Sequence, residues 1–109
     1  MPKELRQIMF GEAEVVSAIT EYHRHRALTM PRGTVTRCEI LAEPALSATL
    51  FIEADGTATR EVSIGTETLA AALILYCIHR KIPLPVDSEK GLRKLPGGRV
   101  ALFVIKPRR

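Results

Sequence analysis

Tryptophan is absent from this chain, and its only aromatic residues are three Phe and two Tyr. That is too few for the stacking platform on which single-stranded nucleic acids are held. Cysteine occurs only at Cys38 and Cys77, which excludes a disulfide scaffold and fits a reducing cytoplasm. The longest apolar run, Leu69 to Ile78, is ten residues, whereas a membrane span needs about 20. No basic-then-apolar leader opens the sequence, so a cytoplasmic protein with no membrane partner is expected. No C-x-x-C, H-E-x-x-H, nucleophile elbow, phosphate-cradling glycine loop or dinucleotide fingerprint occurs either. The expectation is therefore no cofactor, no metal, and a reading that leans away from an enzyme.

What remains is an ordinary globular composition. With 109 residues, 46% hydrophobic and 26% charged, residues 1–109 are expected to form one domain around one core. Sixteen Lys and Arg against twelve Asp and Glu leave a net charge of +4. The basic residues gather loosely at 23–26, at 90–94 and at the C-terminal tail, with no run of five like charges. A basic hairpin made of Lys90, Arg93, Lys94 and Arg99, extended by Arg108 and Arg109, is the candidate nucleic-acid contact surface. Such a surface would bind phosphates in a strongly salt-dependent way.

The chain is internally repetitive. An offset of 54 residues sets 6–41 on 60–95 and matches Arg6/Arg60, Gly11/Gly65, Ala18/Ala72, Tyr22/Tyr76, His25/His79, Arg26/Arg80, Pro31/Pro85 and Leu41/Leu95. Conservative pairs such as Val15/Leu69, Ile19/Leu73 and Leu28/Ile82 fill the gaps. With a one-residue deletion, Ala48–Ile52 then falls on Ala101–Ile105. A long period present only twice implies a pseudo-twofold domain, with repeats of approximately 1–54 and 55–109.

Each repeat reads strand, helix, strand, strand. Residues 5–10 and 58–64 are short β-type runs that end at a glycine. Apolar residues at helical spacing, Val15, Ala18, Ile19 and Tyr22, predict a helix from Gly11 to about Arg26. Leu69, Ala72, Leu73 and Tyr76 predict its twin, with Thr66 available as N-cap. Proline disfavours helix in the residue before it, so Met30-Pro31 and the Ile82–Pro85 segment should be extended. Two hairpins follow, 34–41 with 46–53 and 91–95 with 99–106, although 88–95 could instead open as a helical turn. Pro96-Gly97 suits a type II turn, and Asp55-Gly56 is a hairpin signal joining the repeats. The six apolar residues Val100–Ile105 read as a strand covered on both faces. The fold expected is α+β: a single domain from two diverged β-α-β-β repeats, with a mostly antiparallel sheet and both helices on one face.

Diverged equivalents are the informative positions. On the first helix the face away from the core carries Ser17, Thr20, Glu21 and Arg24, an ordinary solvated face. Their counterparts Ala71, Ile74, Leu75 and Ile78 form a second apolar stripe. Leaving Ile74, Leu75 and Ile78 in water would forgo roughly 1.5–3 kcal/mol each. The stripe is the candidate interface of a homodimer, the alternative being cover from the N-terminal segment or the first helix. At the helix ends, His25, Arg26, His79 and Arg80 recur at equivalent positions and are candidates for an anion or small-ligand site. They are equally at home as cations at a negative dipole end.

The segment Tyr76-Cys77-Ile78-His79-Arg80-Lys81-Ile82-Pro83-Leu84-Pro85 and the hairpin that follows resemble part of a group of short uncharacterised bacterial proteins. The resemblance covers roughly the last 40 residues and implies a bacterial, cytoplasmic setting without naming a chemistry. The expectation carried forward is a non-enzymatic homodimeric interaction or accessory module, protein partners included. The alternative is a nucleic-acid-binding module using the basic hairpin and tail.

Overall fold

A computed structural model describes residues 3–54, 56 and 58–107. The element order is β1 (Lys3–Phe10), α1 (Glu12–His25), β2 (Thr34–Leu41), β3 (Ser47–Glu53), β4 (Arg60–Ile64), α2 (Thr66–His79), β5 (Glu89–Leu95) and β6 (Arg99–Pro107). This is β-α-β-β twice over, a small α+β domain with all strand pairs antiparallel. The segment 89–95 is strand throughout, preceded by a bend at Val86 and Asp87 and not by a helical turn.

The strands divide between two three-stranded sheets, β1-β6-β5 and β2-β3-β4. Neither sheet belongs to one repeat. The opening strand of each repeat crosses to the other: β1 lies on β6, and β4 lies on β3. The exchange follows from the linkers. The short β3–β4 connection folds back as a hairpin, with Gly56 at φ 72 supplying the left-handed turn residue. Asp55 of that turn lies outside the described residues. Once β4 has taken the free edge of β3, the matching edge of β6 is left for β1. The Cα dimensions, 58 × 27 × 19 Å, leave room along the short axis for one helix layer on one sheet layer. Residues 38–41 of β2 and 94–95 of β5, equivalent strands, line one groove together with the 96–98 turn.

The backbone hydrogen bonds at the helix ends match between the repeats. Gly11 and Gly65 are both N-caps in extended conformation, with carbonyls that accept from Val15 N at 3.0 Å and Leu69 N at 2.9 Å. Thr66 is therefore the first helical residue instead of the cap, and its hydroxyl donates to the Leu46 carbonyl. Glu14 accepts the Gly11 N–H at 2.9 Å. Both helices finish in a Schellman turn: Leu28 N bonds to His23 O and Ile82 N to Cys77 O, each at 2.8 Å. Each turn demands a left-handed residue, and the chain supplies Ala27 (φ 53) and Lys81 (φ 57) where glycine is usual.

The core is built from inward positions of both sheets and the facing helix stripes. Val15, Ala18 and Ile19 of α1 and Leu69, Ala72 and Leu73 of α2 are fully buried against Leu50, Leu102 and Val104. Phe10 meets Tyr76 edge to face at 5.8 Å, tying β1 to α2. No charged or polar side chain among the described residues is buried. Strand register corrects the sequence alignment of the last strand. Ile8 pairs with Leu102 and Val62 with Leu50, so Leu50 corresponds to Leu102 and Phe51 to Phe103. The offset there is 52, a two-residue deletion that matches the hairpin loops 42–46 and 96–98. A one-residue deletion would have turned every inward side chain outward.

Candidate functional site

The recurring His-Arg positions converge because the two helices pack on each other with their C-terminal ends together. The His25 and His79 rings lie 6.0 Å apart, edge to face, so equivalent residues meet on the pseudo-twofold axis. Beside them Glu21 accepts two bonds from Arg80, Nη1 to Oε1 at 3.1 Å and Nη2 to Oε2 at 2.8 Å, and lies 3.4 Å from His79 Nδ1. The Arg80 hydrogen bonds hold the Glu21 carboxyl below the usual carboxylate range, with His79 adding to the effect and partial burial opposing it. Arg80 also stacks on Tyr76 at 3.6 Å, as Arg26 does more loosely on Tyr22 at 5.8 Å. A shallow cavity of about 350 Å³ lies here, lined by Glu21, Arg24, His25 and His79.

Of the four candidate anion ligands, then, His25 and His79 line one cavity, while Arg80 is engaged by a carboxylate that pattern reading had placed on a solvated face. The repeat comparison gave Glu21 only as the solvated counterpart of Leu75, with no partner in the other repeat. A lone acid one turn before a recurring His-Arg pair was the available signal. His23 is occupied as well, its Nδ1 donating to the Ile19 carbonyl at 2.8 Å. Among the described residues no group of three potential ligands is placed to hold a metal ion.

The second stripe on α2 is partly covered within the chain. Ala71, Ile74 and Leu75 are half-buried, and Ile74 packs on the core. Ile78 is the member left open, 61% exposed.

The basic residues of β5 split between two faces, as strand alternation requires. Lys90 and Lys94 pair with Val104 and Val100 and share the side of core-packed Leu92. Lys90 Nζ reaches Ser88 Oγ at 3.1 Å and the Pro85 carbonyl at 3.4 Å. Arg93 lies on the opposite face, 5.8 Å over the Phe103 ring, and Arg99 Nε donates to the Pro96 carbonyl at 3.2 Å within the turn. Arg108 and Arg109 lie outside the described residues.

The largest difference between the repeats is one that the helix comparison passed over. The outer face of β2-β3-β4 is polar: Thr49, Glu53, Glu61 and Ser63, with Arg37 bonded to Glu39 at 3.2 Å and stacked on Phe51 at 4.2 Å. Equivalent positions on β1-β6-β5 are Ala101, Ile105, Gln7 and Met9. Leu5 and Met9 stand 66% and 55% exposed there, beside half-buried Phe103 and Ile105. The tip of the Phe103 ring covers Gly91, so close that a Cβ at 91 would fall 2.3 Å from Phe103 Cζ. Ala101 is covered yet belongs to this face and not to the core. Comparing the strands as the helices were compared would have shown it.

Both cysteines are buried and unpaired. Burial, with the charges of Glu12 and Glu39 adding, pushes the Cys38 thiol up to about 11, and burial also raises Cys77. No described helix is long and apolar enough to cross a membrane. No protein-family model, curated protein or solved structure matches the chain.

Proposed function

We propose that this protein is a non-enzymatic interaction module that works as a homodimer, in the reducing environment of a cytoplasm. The observation that carries this reading is the apolar outer face of β1-β6-β5, set against its polar counterpart on β2-β3-β4. Two copies of one unit in one solvent need the same kind of outer surface unless one of them is covered. The remaining chemistry points the same way. Both thiols are held protonated near neutral pH, which withholds the thiolate that a cysteine nucleophile needs. The acid of the helix-end cluster is spent on locking α1 to α2 through Arg80.

The test is the mass in solution by light scattering behind size exclusion, with absorbance followed at two wavelengths. A particle of twice 12.1 kDa, free of excess short-wavelength absorbance, is expected. A 12.1 kDa particle at every concentration overturns the homodimer. Co-eluting nucleic acid that salt removes would favour the basic-hairpin alternative instead.

A further inference from the structure

We propose that two copies of this chain meet face to face through the outer surface of the β1-β6-β5 sheet, on a twofold axis that runs along the row Gln7, Phe103 and Gly91. The proposal rests on the homodimer reading above and says where and in what orientation the second copy sits.

The strand register arranges the outer face in three rows across the sheet. Leu5, Ile105 and Glu89 form one outer row, Gln7, Phe103 and Gly91 the middle row, and Met9, Ala101 and Arg93 the other outer row. A second sheet turned over about the middle row lays each outer row on the other. Leu5 then faces the partner's Met9, Ile105 faces the partner's Ala101, and Glu89 faces the partner's Arg93. Apolar side chains lie over apolar ones, a carboxylate meets a guanidinium, and symmetry repeats each contact on the far side of the axis. Phe103, whose ring tip covers Gly91, meets its own copy in the centre, where an aromatic anchor contributes most to an interface.

The other face-to-face arrangement, about an axis along the strands, would set β5 on β1. Glu89 and Arg93 would then press on the partner's Leu5 and Met9, burying two charges without partners. Charge complementarity therefore selects the first orientation. The α2 stripe offers less: three of its four members are already half-covered within the chain, leaving Ile78. The outer face of β2-β3-β4 carries acids and hydroxyls at the matching positions and has no reason to close.

Charge reversal distinguishes these possibilities. Glu89→Arg makes the set of facing charges all positive, and Arg93→Glu makes it all negative. Each alone should weaken self-association at least tenfold in sedimentation equilibrium, with the far-UV spectrum unchanged. Mixing the two variants should restore dimers, because in the mixed pair every cation faces an anion. Met9→Lys should likewise give folded monomers, and Ile78→Glu should stay dimeric. If the wild-type chain is dimeric but these sheet variants leave it so, or if Ile78→Glu alone splits it, the placement is wrong and the homodimer stands. If the wild-type chain is monomeric throughout, the homodimer itself falls and this inference with it.

Discussion

Replacing Ala27 by glycine should stabilise the protein, the reverse of what glycine does at most helical positions. Ala27 sits at φ 53, the left-handed residue of the turn that ends α1, where its own N–H bonds to Arg24 O at 3.1 Å. Holding an L-residue there costs about 1–2 kcal/mol, because Cβ crowds the following carbonyl oxygen. Glycine removes that strain, and its freer unfolded chain takes back about 0.4–1 kcal/mol. The net expected is a gain of about 0.5–1 kcal/mol, or roughly 2–6 °C in Tm for a domain of this size. Lys81→Gly, at the equivalent turn of α2 with φ 57, should gain less. It also removes a cation at the helix C-terminus, an interaction of about 0.3–1 kcal/mol. Thermal melts by circular dichroism measure both. A fall in Tm of about 4 °C or more for Ala27→Gly, the cost of glycine within a helix, would refute the left-handed assignment and with it the matched ends of the repeat.

The remaining predictions concern single contacts. Gly33→Ala should destabilise by about 2–3 kcal/mol, since at φ +136 its Cβ would fall 2.6 Å from the Glu53 carbonyl oxygen, a backbone atom that cannot swing away; chemical denaturation reads this, and an unchanged midpoint would contradict it. Glu21→Gln should lower Tm at neutral pH. Because the folded-state pKa of Glu21 is depressed, its contribution is complete above the ordinary glutamate value of 4.5 and disappears as pH falls through the lower folded value, so the gap between wild type and variant should close on acidification. Cys38 has the opposite sign: its thiol is raised from 9.0 to about 11, so stability is complete below 9 and should decline as pH rises from 9 towards 11. A Cys38→Ala variant melted across that range should show a smaller decline. At pH 8 both thiols should react with Ellman's reagent only as fast as the chain opens, and prompt labelling would contradict their burial.

Much of the fold could be read locally. Val15, Ala18, Ile19 and Tyr22 marked α1, and their equivalents marked α2, because helical spacing is a property of one segment. The hairpin turn at Pro96-Gly97-Gly98 showed itself through glycines that take positive φ, 78 and 73. What stayed hidden depends on which segment reaches which. The expected sheet divides in two, and each repeat exchanges its first strand, because β1 reads the same whether it lies on β3 or on β6. Thr66 looked like a cap, yet its hydroxyl has a tertiary acceptor in Leu46, and Gly65 takes the cap position. At the helix ends the repetition of His25, Arg26, His79 and Arg80 marked two residues that the fold brings together, His25 and His79. Glu21 read as part of a solvated face, because its equivalent Leu75 carries no charge and nothing in the spacing shows that Arg80 reaches it. The basic residues of β5 looked like one patch only until alternation sent Lys90 and Lys94 one way and Arg93 the other.

The face assigned to the second copy is tested most directly by a cross-link on its axis. Gln7 is exposed, polar and in the middle row, so Gln7→Cys leaves the apolar contacts intact and brings two thiols opposite each other across the interface. Its counterpart on the other sheet, Glu61, serves as the control, and the native cysteines are buried. With a short bis-maleimide at low protein concentration, Gln7→Cys should give a covalent dimer of twice 12.1 kDa and Glu61→Cys should not. No cross-link at Gln7→Cys, or an equal one at Glu61→Cys, would contradict the account.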